Sequence, residues 1–193
     1  MKKIIFFALI ILPCMLHAQK SWKPWGVSEA GLLFGTYELS GDLRLQGGVR
    51  KGSWLLGAGA GTDGYRLRSI PVYAQVRKMM GNKNMKPFVM GSFGVNFDNV
   101  KDYNWDMITF DARGSIMPPP TYQYSPGSYA ELGAGLAFRT HKKFGWNLSF
   151  GYTRKTLQEE VSQNIYTGSG WGPTVNKNRY MMNRYALRIG MQL

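Results

Sequence analysis

Residues Trp54–Thr62 read WLLGAGAGT. Trp54, Leu56, Ala58 and Ala60 are apolar, while Leu55, Gly57, Gly59 and Gly61 stand between them. A two-residue period marks a strand with two unlike faces. Here one face is apolar and the other is almost bare. Glycine weakens a strand, so three glycines on one face need a reason. A face turned to water would be expected to carry Lys, Glu and Thr. Crowding inside a narrow eight-stranded barrel supplies the reason.

The same division recurs along the chain. Leu43, Leu45, Gly47 and Val49 alternate with Arg44, Gln46, Gly48 and Arg50. Ile70, Val72, Ala74 and Val76 alternate with Pro71, Tyr73, Gln75 and Arg77. Ala130 to Phe138 and Phe144 to Tyr152 repeat it, as does Tyr185 to Leu193. Eight such runs are expected: Val27–Glu38, Leu43–Arg50, Trp54–Thr62, Ser69–Met79, Lys86–Phe97, Ser128–Arg139, Phe144–Lys155 and Arg179 onward. The segment Leu39-Ser40-Gly41-Asp42 reads as a turn, and Val100–Gly127 and Leu157–Asn178 read as long loops. Runs of about ten residues match a tilted strand crossing a bilayer.

Strands of this kind build either a soluble barrel with the apolar face inside or a membrane barrel with it outside. The glycine-rich polar face and its mixed charges favour the second. Glu29 and Glu131 share the inward parity with Arg44, Arg77, Arg184 and Arg188, and buried charges must be paired to be tolerated. The first and last strands are expected to close the ring and bring Glu29 near Arg188. Tyr73, Gln75, Arg77, Glu131, Tyr180 and Arg188 are large enough to fill the lumen. Outward aromatics form two belts, Trp54, Phe144 and Trp146 at one end and Phe34, Phe97 and Tyr152 at the other.

The N-terminus reads MKKIIFFALIILPCMLHAQ: two lysines, an apolar run from Ile4 to Leu16, then a short step to Ala18. That is the layout of a secretory signal peptide cleaved after Ala18, too short to stay as a membrane span. A lipidated Cys14 is the alternative, with Pro13 before it. The expected division is signal peptide 1–18, periplasmic segment 19–26 and barrel 27–193. Cleavage removes Cys14, the sole cysteine, and His17, leaving His141 as the remaining histidine. Thiol chemistry, disulfides and a zinc site are then excluded.

The formal charge is +13. The basic residues gather at the short-turn end (Lys20, Lys23, Lys51, Lys78, Lys83, Lys86, Arg139, Lys142, Lys143), the acidic ones at the other (Asp42, Asp63, Asp98, Asp102, Asp106, Asp111, Glu159, Glu160). A basic ring facing anionic lipid headgroups explains this better than nucleic acid does in an exported chain.

These features resemble the small bacterial outer-membrane β-barrels of the OmpA-like, OmpX-like and opacity-protein type. Tyr65–Arg77, YRLRSIPVYAQVR, is similar to the fourth-strand region common in such barrels from Bacteroidetes. The resemblance implies an all-β, eight-stranded, antiparallel up-and-down transmembrane barrel in a Gram-negative outer membrane. It also implies outer-membrane lipid as surroundings and insertion by the barrel-assembly machinery, which reads the last strand. Family members usually end on Phe where this chain has Leu193.

Signals of chemistry are few. Gly59-x-Gly61-x-x-Gly64 matches a dinucleotide fingerprint as a string but opens no helix. Asp98, Asp102, Asp106 and Asp111 lack the spacing of a calcium loop. His141 has no neighbouring Ser, so a lipid-modifying enzyme has no nucleophile and base. No catalytic residue, metal or cofactor is expected. Function is expected in the long loops, whose aromatics Tyr103, Trp105, Phe110, Tyr122, Tyr124, Tyr166 and Trp171 are candidates for contacting an extracellular or envelope ligand. A structural or adhesive role comes first, a narrow porin-like channel is the alternative, and a lipid-modifying outer-membrane enzyme stands behind both.

Overall fold

The computed structural model describes residues 22–35, 39–64, 67–81, 84–99, 109–110, 116–117, 121–139, 144–166 and 171–192. The signal peptide and His141 lie outside them. Among the described residues eleven strands form: β1 (Lys23–Phe34), β2 (Leu39–Lys51), β3 (Trp54–Asp63), β4 (Ser69–Met79), β5 (Met85–Asp98), β6 (Thr109–Phe110), β7 (Ile116–Met117), β8 (Thr121–Ser125), β9 (Gly127–Arg139), β10 (Gly145–Tyr166) and β11 (Trp171–Gln192). Eight of them pair antiparallel in the order β1-β2-β3-β4-β5-β9-β10-β11, and β11 pairs back onto β1 from Val27↔Gln192 to Phe34↔Tyr185. The ring is closed, so within it no edge is left unpaired.

Chemistry sets which way each strand faces. Leu45, Phe93 and Leu132 are 70–72% exposed on the outside, whereas Arg77 and Arg188 are at most 1% exposed within. This inverts a soluble protein and suits lipid as the outer solvent. The outward Trp54, Phe97, Phe144, Trp146 and Tyr152 are all exposed. Phe150 stacks on Tyr185 at 5.7 Å and Tyr152 meets the same ring edge-on at 5.6 Å.

The inward glycines are needed for backbone clearance. A Cβ on Gly48 or Gly94 would overlap the carbonyl oxygen of Leu56 or Val72 on the next strand. At one end the turns are tight. Lys51 pairs with Trp54, so Gly52 and Ser53 alone connect β2 to β3, and Gly52 takes φ +59°, open to glycine at little cost.

Several boundaries differ from the sequence reading. β1 begins at Lys23, inside the segment expected to precede the barrel, because Trp25 is buried and pairs with Gly48. Leu39–Asp42 is strand, paired with Gly31–Phe34, and not a turn. Leu157–Asn178 is largely not a loop. The β10–β11 ladder runs without interruption to Tyr166↔Trp171. The Val100–Gly127 connection contains β6, β7 and β8, and β8 extends the sheet by pairing with Gln158–Ser162 of β10. Between β8 and β9, the three residues Pro126–Ser128 oppose two, Thr156 and Leu157. That is a β-bulge, where Pro126 gives up no ladder hydrogen bond.

Candidate functional site

The lumen is filled in layers. At the short-turn end Trp25, Val27, Leu55, Met79, Phe88, Met90 and Ala137 form an apolar plug. Arg77 lies against it, its guanidinium carbon 4.3 Å from the Phe88 ring centroid, and its Nη2 donates to Glu29 at 3.0 Å. Cation–aromatic contact and one carboxylate offset part of the cost of this fully buried charge, whose Nε and Nη1 have no hydrogen-bond partner among the described residues.

The middle layer is a closed ring of alternating charge. Arg44 binds Asp42 at 2.9 Å and Glu131 at 2.5 Å, and Arg188 binds the same two carboxylates at 2.9 and 2.5 Å. The Tyr129 hydroxyl also donates to Glu131. Tyr129 stacks on Tyr73 at 5.3 Å, and the Arg44 guanidinium carbon lies 5.5 Å from each ring. Above this layer Asp63 takes Lys155 and Arg184, each at 2.7 Å, and Lys155 also donates to the Ser69 hydroxyl at 2.7 Å.

Thus all six charges expected on the inward parity are buried inside, but one expected pairing is wrong. Glu29 sits beside Gly190 in the ladder and binds Arg77, while Arg188 sits beside Gly31 and reaches Asp42 and Glu131. An arginine is long enough to cross a narrow lumen, so its partner is not its strand neighbour. Asp42, Asp63 and Lys155 were missed as lumen residues. Their parity with Arg44, Gly61 and Thr153 was the available signal.

Beyond the bulge, the β10–β11 hairpin rises past the last pairing with β9 and β1. Here the Glu159 carboxylate accepts from Tyr180 at 2.8 Å, Tyr124 at 2.9 Å and Asn178 at 3.2 Å. Burial pushes this carboxyl upward, but those hydrogen bonds outweigh it and hold its pKa below the ordinary value. Burial, and then the hydrogen bond to Glu159, push the Tyr124 phenol up. Tyr180, read as a lumen filler, therefore belongs to this upper cluster.

Of the candidate loop aromatics, Tyr122 is exposed, Tyr124 is half-buried on Glu159, and Tyr166 and Trp171 are backbone partners at the hairpin end. Phe110 lies in β6, and Tyr103 and Trp105 fall outside the described residues.

No family model and no curated protein matches the chain. Among solved structures, Neisserial surface protein A superposes with a TM-score of 0.56 at 10% identity, covering 89% of this chain and 96% of that one. The chain has the fold of a small outer-membrane β-barrel. A second similar structure is the outer membrane protein AlkL, solved by solid-state NMR in DMPC bilayers, with a TM-score of 0.47, 10% identity and 88% coverage of each chain. The lumen of this barrel is filled along its length: the plug, the charge ring and the Asp63 layer lie one above another.

Proposed function

We propose that this outer-membrane barrel is a non-catalytic anchor that presents the β10–β11 hairpin at the cell surface as a binding or adhesive element. The observation that supports this is the length of the two strands, 22 residues each. A strand needs about 9–11 residues to cross a bilayer, so roughly half of each is surplus to spanning. β8 and the Tyr124, Tyr180 and Asn178 contacts to Glu159 brace that surplus, and rigid aromatic surfaces bind at low entropic cost. In this reading the long-loop end faces outward, and the final strand is what the barrel-assembly machinery engages.

The test is a variant in which residues 160–177 are replaced by a tight turn. It should keep heat-dependent gel mobility and lose attachment of expressing cells to one another and to a solid surface. An epitope inserted at Ser169 should be detected on intact cells. Detection only after the outer membrane is opened would overturn the orientation, and unchanged attachment would overturn the adhesive role.

A further inference from the structure

The opposite end of the barrel carries a feature that the hairpin does not explain. In the ladder Lys51 stands beside Trp54, and Trp54 beside Lys78. All three lie on the lipid-facing parity. The Lys51 ammonium lies 5.3 Å from the Trp22 ring centroid, and that of Lys78 4.9 Å from the Trp54 centroid. Tryptophan and lysine therefore alternate around the rim of β1 to β4. Neighbouring strands are about 4.8 Å apart, so the two ammonium groups project from backbones roughly 10 Å apart. Among the described residues neither lysine forms an ion pair, and this end of the barrel holds no Asp or Glu.

Directly beside the row, a groove of about 350 Å³ is lined by Trp54, Val76, Lys78, Val89, Gly91 and Leu132. Gly91 opens it by leaving a gap in the outward face opposite Leu132. An apolar groove bounded by an indole and Lys78, with Lys51 on the other side of that indole, complements a phospholipid: acyl chain below, phosphate above.

We propose that this row and groove form a binding site for an anionic phospholipid of the leaflet at the short-turn end, with Lys51 and Lys78 on its phosphate-bearing headgroup and its acyl chain along Gly91 and Leu132. The site does not depend on the hairpin having a ligand.

The experiment uses the folded protein in a non-ionic detergent, titrated by native mass spectrometry with phosphatidylglycerol and, separately, with phosphatidylcholine. Phosphatidylglycerol should bind on the order of tenfold tighter. The pair Lys51→Gln/Lys78→Gln should abolish that preference. The control pair Lys23→Gln/Lys86→Gln removes the same charge from the same end and should keep it. Gly91→Leu should weaken both lipids by filling the groove. Heat-dependent gel mobility checks that every variant is folded. Equal binding of the two lipids by the unaltered protein, or an equal loss in the control pair, would overturn the site in favour of a diffuse basic rim. Unchanged binding in Gly91→Leu would overturn the acyl-chain placement.

Discussion

Glu131 is the residue on which the middle of the lumen turns, since it neutralises Arg44 and Arg188 together. Glu131→Ala strands two buried guanidinium groups with one remaining shared carboxylate, Asp42. Breaking a buried pair typically costs on the order of 3–5 kcal/mol, so a large fall in the urea unfolding midpoint is expected. The pairing can be checked by double-mutant cycles. Glu29→Ala with Arg77→Ala should be non-additive, while Glu29→Ala with Arg188→Ala should add to within about 0.5 kcal/mol. The reverse result would restore the pairing first read from the sequence. Two glycines on β5 make a second test. Gly94→Ala drives a methyl group into the Val72 carbonyl, whereas at Gly91 the nearest atom is the Leu132 Cδ2 at 3.5 Å, an ordinary contact. Gly94→Ala should lose the heat-modifiable folded band and Gly91→Ala should keep it.

The β10–β11 hairpin is the element in which the sequence was hardest to read. Within the bilayer one face meets lipid and the other the lumen, so the two-residue period is sharp. Above it both faces meet water, and the stretch Thr174–Arg179 alternates weakly. A ladder without contrast between its faces looks like a loop. Asp42 and Asp63 were obscured differently: each adjoins a glycine, and Gly-Asp and Asp-Gly pairs imitate turns. The upper ladder should be sensitive to acid. Glu159 has a folded pKa below its unfolded value, so its contribution is complete above the unfolded carboxylate value of about 4.3 and is lost as pH falls through the lower folded one. Amide protection over residues 158–166 and 171–180, corrected for intrinsic exchange, should fall below about pH 4 while the lower strands keep theirs. Glu159→Gln should remove that pH dependence; an identical fall in the variant would place its cause elsewhere.

For the whole molecule, architecture was legible because it depends only on parity and strand number, which the apolar and glycine-rich positions record. Who binds whom inside was not, because barrel tilt and long side chains carry each charge away from its register neighbour. The layered lumen predicts that reconstituted protein gives no steady conductance in planar bilayers, and that Phe88→Ala alone opens none, since the charge ring lies behind the plug. A stable channel in either would return the pore reading to first place. That ring also bears on time. Arg188 and Asp42 lie 146 positions apart, and Arg44 and Glu131 lie 87 apart. Its members come from β2, β9 and β11. Until β11 docks, the ring holds two carboxylates, Asp42 and Glu131, against the single guanidinium of Arg44, and the barrel wall stands open. Within the ring, charge balance is thus reached only when β11 closes the barrel and sets Arg188 between the two carboxylates, so closure and neutralisation are one event.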